Sequence, residues 1–162
     1  MPVVASVEPT TKKIAMAQIG YGEIADMLET LLGSCVGVCV WDSHTHRGAL
    51  AHVLLSDSQG VKVSPAKFAN TAISHLKDQL LRSGANPRCL QAKIIGGAKM
   101  FGNNTKRDVG RRNCEAVRAH LEKNKIPLIG EHTGGTKGRM IRFFLNTGEV
   151  EVIIGREKVA TL

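Results

Sequence analysis

Cys35 and His52 have the residue types and the setting for nucleophilic chemistry. Cys35 follows Gly33-Ser34 at the edge of the apolar run CVGVCVW, and His52 sits in the middle of ALAHVLL. A free thiol has a pKa of about 8.5, so little thiolate exists at neutral pH. A neighbouring imidazolium stabilises the thiolate, and the same ring then protonates a leaving group. A tight turn at Gly33 and Ser34 would leave backbone N–H groups to hold an oxyanion. The competing reading is structural: a Cys in an apolar run is commonly core, and one His in an apolar strand is commonly a hydrogen-bonded core residue. Cys39 lies inside the run and reads as core, and Cys89 and Cys114 read as core or helix-face residues.

Metal and phosphate chemistry fit less well. Cys35, Cys39, His44, His46 and His52 are close in sequence, but C-x3-C followed by H-x-H is not a usual zinc spacing. A continuous strand would also hold Cys35 and Cys39 about 13 Å apart. Spacing therefore argues against a zinc site. Gly96-Gly97 and Gly134-Gly135 lack both the GxGxxG pattern and a P-loop GK[ST]. They read as places where backbone turns sharply or approaches a site closely.

The elements that must position Cys35 and His52 follow from periodicity. Val36, Val38, Val40 and Trp41 predict a strand buried on both faces, joined through the polar WDSHTHRG turn to a strand over Gly48–Leu55. The two-residue period puts Leu50, His52 and Leu54 on one face. Residues 1–13 read as a loose arm or edge segment, Ile14–Ile19 as a strand and Gly20–Glu29 as a polar connection. Ser64-Pro65 predicts a helix start; Phe68, Ala69, Ala72, Ile73, Leu76 and Leu80 supply its apolar stripe, and Gly84 its end. Lys93–Ile95 reads as a short strand, Met100–Arg107 as a loop, and Asp108 as the cap of a second helix striped by Cys114, Val117 and Leu121 and stopped by Asn124 and Pro127. Strands follow at Leu128–Ile129, Met140–Leu145 and Val150–Ile154, the last two joined by an Asn146-Thr147-Gly148 turn. Hairpin-joined strands with interspersed helices argue for an α+β fold with a mixed, largely antiparallel sheet.

The bulk properties narrow the class. The 162 residues suggest one domain, over 1–162, without repeats or linkers. No apolar stretch approaches the roughly 20 residues of a membrane span, and no secretory pattern opens the chain, so a cytoplasmic location without membrane insertion is expected. The four cysteines then read as free thiols. Lys and Arg number 22 against 14 acidic residues, a net charge of +8, densest over Lys99–Arg112. Only 4% of residues are aromatic, too few stacking platforms for a single-strand binder, which puts plain solvation of the charges or an acidic protein partner ahead of nucleic acid.

Five segments in order, LLGSCVGVCVWD, GALAHVLLSDS, AKIIGGAKMFG, DVGRRNCEAV and GEHTGGTKGRMIRFFLNTGEV, resemble the CheD family of chemoreceptor glutamine deamidases of bacterial chemotaxis, over about Gly20 to Val152. The resemblance implies a nucleophile at Cys35, a catalytic His at His52 and an upstream catalytic Thr, which falls on Thr30. It implies an oxyanion turn at Gly33 and Ser34; by residue type, Gly96, Gly97, Met100 and Phe101 are the candidate substrate or partner contacts, with core packing the competing reading for Met100 and Phe101. It implies an α/β/α-type sandwich with a central mixed sheet, similar to the catalytic domain of cytotoxic-necrotising-factor toxins. The implied reaction is hydrolysis of glutamine amides on the cytoplasmic region of methyl-accepting chemotaxis proteins, through a thioester, without cofactor. A CheC-type phosphatase is an implied further partner. The competing functions are a catalytically silent module that binds receptor or CheC, a glutamyl methyl-ester hydrolase working through the same thioester, and a basic nucleic-acid binder.

Overall fold

The computed structural model describes residues 9–62, 64–100 and 108–162. In chain order the elements are β1 (Thr10–Lys13), β2 (Ile19–Gly22), β3 (Asp26–Leu32), β4 (Val36–Asp42), β5 (Gly48–Val53), α1 (Ala69–Arg82), β6 (Leu90–Gly96), α2 (Val109–Lys123), β7 (Leu128–Thr133), β8 (Arg139–Phe144), β9 (Val150–Ile154) and β10 (Glu157–Thr161). They form two five-stranded sheets, β2-β5-β4-β6-β7 and β1-β3-β8-β9-β10. Each sheet has one parallel pair, β6–β7 or β1–β3, and is otherwise antiparallel.

The unbroken apolar character of β4 is explained by its place in the middle. Val36, Val38 and Val40 join Ala49, Ala51 and Val53 of β5 against Ile73 and Leu76 of α1 and Val117 and Leu121 of α2. On the other face Cys39, Leu50 and Ile95 meet Leu28, Leu32, Ile141, Phe143 and Val152 of the second sheet. A strand with no wet face needs no polar alternation. The α+β class and the mixed, largely antiparallel pairing are as expected. The sandwich has three layers: both helices, then the central sheet, then the second sheet as the opposite outer layer.

The two hairpins have the expected partners, with Trp41 opposite Gly48 and Phe143 opposite Val150. Gly84, at φ +106°, follows α1 and donates to the Leu81 carbonyl at 3.1 Å. The Asp108 side chain caps α2 by accepting the Arg111 N–H at 3.0 Å.

Several expectations are corrected. Of the segment expected as a strand over Ile14–Ile19, only Ile19 is in one, and the preceding residues form an irregular strap. The polar connection expected over Gly20–Glu29 contains most of β2 and half of β3, whose alternation of buried Leu28, Thr30 and Leu32 is fixed by pairing with β8. Pro65–Lys67 forms a 3-10 turn and the helix proper starts at Ala69, because the Ser64 hydroxyl donates to the Ala17 carbonyl at 2.9 Å instead of capping. Strands β6 and β7 outrun the short runs read from sequence, since β6 pairs on both sides. Thr10–Lys13, within the presumed arm, is an exposed edge strand, while residues 1–8 lie outside the described residues. Strand β10 has an exposed, charged pattern that gave no apolar signal. No helix among the described residues is long and apolar enough to cross a membrane.

Candidate active site

The turn between β3 and β4 carries Gly33, Ser34 and Cys35. Gly37 lies opposite His52 in the β4–β5 ladder. Residues two apart on a strand share a face, so Cys35, Gly37 and Cys39 lead toward the face that carries His52 and Leu50. Cys35 is half-buried and packs against the cluster between the sheets. By register it is a diagonal neighbour of His52, the relation in which side chains still reach one another across two strands.

Thr30 projects from the facing sheet and completes the arrangement. Its Oγ1 is 2.8 Å from His52 Nδ1 and 2.7 Å from the Ile14 carbonyl oxygen. A hydroxyl has one hydrogen, and a carbonyl can only accept, so Thr30 donates to Ile14. Nδ1 of His52 must then donate to Thr30. This assigns the neutral ring as the Nδ1–H tautomer and leaves Nε2 as the basic atom. Thr30 is 6% exposed and His52 3%, so the bond lies in the water-poor space between the sheets.

The irregular strap holds this pair together. The Ile14 N–H donates to the Glu29 carbonyl at 2.8 Å, tying the strap to β3. The His52 N–H donates to Gln18 and the Ala17 N–H to the His52 carbonyl, both at 3.0 Å, tying it to β5. Ala17 takes a φ of 59°, a left-handed position that breaks the strand there.

Burial pulls the His52 pKa below its ordinary value. Burial pushes the Cys35 thiol up, opposed by its own backbone N–H. Both shifts favour the uncharged forms, because each charged form loses hydration. The directions of both shifts run against the preformed thiolate–imidazolium pair that sequence alone suggested.

Three consecutive carbonyls hold the turn that carries Cys35. Gly33 accepts from the Ala98 N–H at 3.0 Å, Cys35 from the Gly97 N–H at 2.9 Å, and Ser34 from Asn113 Nδ2 at 3.3 Å. Gly96 has φ +110°, and a Cβ there would lie 2.3 Å from the Cys35 carbonyl oxygen, so glycine is required for this close approach. Gly96 and Gly97 are buried beneath the turn. They support the Cys35 backbone, and Gly97 also lines a surface cavity with Lys99, Arg111 and Arg118. Met100 is 40% exposed and stands over Gly33, where an added Cβ would be 3.5 Å from its Cγ. Phe101 lies outside the described residues.

Cys39 is 1% exposed, and burial pushes its thiol far up, as befits a core residue. Among the described residues no three His, Cys, Asp or Glu side chains gather to hold a metal. Sequence reasoning missed Asn113, a fully buried amide on the stripe of α2 that also carries Cys114, Val117 and Leu121. Its signal was a polar residue four positions before Val117 on an otherwise apolar face.

Residues 54–153 match the family described as CheD chemotactic sensory transduction. The chain is 41% identical over 147 residues to the probable chemoreceptor glutamine deamidase CheD of Methanococcus vannielii, covering 90% of this chain and 96% of that protein. It is 44% identical over 140 residues to the chemoreceptor glutamine deamidase CheD of Thermotoga maritima, covering 83% and 88%. Among solved structures, the Bacillus licheniformis hypothetical protein YfiH is similar with a TM-score of 0.45 and 14% identity, over 75% of this chain and 60% of that one.

Proposed function

The chain belongs to the CheD family, and from that premise we propose that it hydrolyses glutamine side-chain amides of chemoreceptors to glutamate, with Cys35 as nucleophile, His52 as base and acid, and Thr30 orienting His52. The observation that carries this reading is the Thr30–His52 hydrogen bond, which turns Nε2 into the proton acceptor on the face that Cys35 approaches.

The chemistry proceeds from a neutral pair. As the glutamine amide enters and displaces water, Cys35 passes its proton to His52 Nε2 and Sγ attacks the amide carbon. The tetrahedral oxyanion takes hydrogen bonds from backbone N–H groups of the Gly33–Cys35 turn. His52, now imidazolium, gives its proton to the amide nitrogen, the C–N bond breaks and ammonia leaves. A water molecule surrenders a proton to Nε2 and attacks the thioester, the C–S bond breaks, and Nε2 passes that proton to the leaving Cys35 sulfur, giving back the thiol and releasing a glutamic acid that ionises to glutamate. Thr30 accepts from Nδ1–H throughout, and its hydrogen bond strengthens when the ring is charged.

Met100 and the exposed Leu31, both beside the turn, supply apolar contact for a receptor helix. The net charge of +8 suits a helix rich in carboxylates. A CheC-type phosphatase is proposed to occupy the same mouth and compete with receptor. The free Cys35, Cys39, Cys89 and Cys114 suit a reducing cytoplasm.

Mass spectrometry of a receptor fragment incubated with the protein tests the reading. Wild type should add about one dalton per glutamine converted, the change expected for amide hydrolysis at an activated thiol, and Cys35→Ala should add none. Conversion that persists in Cys35→Ala rejects the nucleophile.

A further inference from the structure

Asn113 of α2 has no exposed surface and makes three hydrogen bonds. Its Nδ2 donates to the carbonyls of Ser34 at 3.3 Å and Leu54 at 2.8 Å. Its Oδ1 accepts from Ser56 Oγ at 3.1 Å. The carbonyls can only accept, which fixes the orientation of the amide. One side chain thus links the turn of the nucleophile, the chain two residues beyond His52, and α2.

The Ser34 carbonyl and the Cys35 N–H belong to one planar trans peptide and point in opposite directions. A carbonyl drawn toward Asn113 of α2 therefore turns the Cys35 N–H away from α2, to the side on which Cys35 packs. The neighbouring peptide is set the same way, since the Gly33 carbonyl is held by Ala98 and the Ser34 N–H belongs to that unit. We propose that Asn113 is a positioning residue for oxyanion stabilisation: it holds the Ser34–Cys35 peptide so that the Cys35 N–H meets the oxygen of the attacked amide. The inference rests on the cysteine-hydrolase reading above.

A merely structural Asn113 would join α2 to the sheet and affect stability alone. The two roles separate in kinetics. Asn113→Asp keeps the acceptor for Ser56 but, when ionised, donates to neither carbonyl. Its kcat for receptor-fragment deamidation should fall about 100- to 1,000-fold, the range for loss of an oxyanion donor, with KM changed less than about threefold. Iodoacetamide alkylation of Cys35 forms no oxyanion, so its rate should stay within about twofold of wild type. Ser56→Ala leaves both carbonyl bonds but frees the amide to rotate, and kcat should drop about 3- to 10-fold.

A folded Asn113→Asp with wild-type kcat overturns the inference, as does loss of alkylation in step with kcat. If Asn113→Asp does not fold, Ser56→Ala decides, and unchanged kcat there overturns it. Failure of the hydrolase reading looks different: wild type itself would not deamidate, or Cys35→Ala would remain active, and the inference would fall with it.

Discussion

Strand β4 has a buried polar centre at each end, and the two are built in opposite ways. At its C-terminal end Asp42 is fully buried and saturated. It accepts from the His44 N–H at 2.8 Å, the Thr45 hydroxyl at 2.6 Å and the Asn86 N–H at 2.8 Å. Burial alone would raise its pKa, but the Thr45 and backbone donors together hold the carboxyl below its usual value. At the N-terminal end, burial outweighs the one backbone N–H that opposes it at Cys35 and is unopposed at His52, and both are driven toward their neutral forms. The Thr30 bond occupies one ring nitrogen and leaves the other for a reacting proton. A charge with every bond filled fastens the structure, whereas a neutral pair with bonding capacity in reserve can exchange a proton when substrate arrives.

Substitutions at the two ends should therefore part cleanly between activity and stability. The largest effect is expected from Cys35→Ala, which should lower deamidation by at least about a thousandfold, as loss of a nucleophile does, while the melting temperature stays close to that of wild type. His52→Ala comes next: kcat should fall about 10²- to 10⁴-fold, the usual share of general acid–base catalysis, and alkylation of Cys35 near neutral pH should slow in parallel. Thr30→Val removes the acceptor for Nδ1–H and should cost about 10- to 100-fold in kcat, by analogy with other groups that orient a catalytic His, whereas Thr30→Ser should recover most of the activity. Equal activity of the Val and Ser variants would detach Thr30 from the site.

The pH dependence sharpens the same contrast. His52 must be neutral to take the thiol proton, and its pKa is lowered, so the acid limb of kcat/KM should lie below the ordinary histidine value of about 6.5. The Cys35 pKa is raised, so iodoacetamide alkylation of the free enzyme should still be climbing above about pH 8.5. An alkylation rate already flat at neutral pH would mean a preformed ion pair.

The smallest effect on activity belongs to the other end. Asp42→Ala strands three donors and should destabilise the fold by on the order of 2–4 kcal/mol, with kcat per folded molecule unchanged. The Asp42 carboxyl is held below its unfolded value of about 3.9, so its contribution is complete above that pH and is lost as pH falls through the folded value. Asp42→Asn should flatten the acid limb of stability in that window. A drop in kcat from either Asp42 variant would erase the distinction between the two ends.

Much of this was legible in the residues. The continuous apolar run of β4 announced a strand covered on both faces, the alternation around His52 gave its side of β5, and Gly33-Ser34 marked the turn before Cys35. The strap before β2 was misread because its apolar residues imitate a strand, while the left-handed Ala17 that breaks it is set by bonds to β5. Asn113 was missed because a polar residue on a helix stripe has no meaning until its partners are known.

By itself the sequence determined the residue types that could react, the periods that make strands and helices, and the resemblance that points to amide hydrolysis. Only the tertiary structure decided which nitrogen of His52 is left free by Thr30, that burial favours the uncharged thiol and imidazole, and that Asn113 reaches under the Gly33–Cys35 turn. The physical reason is range. Periodicity is local, whereas hydrogen-bond closure and desolvation are set by groups such as Ser34 and Asn113, 79 positions apart, that meet only once both layers have packed against the central sheet.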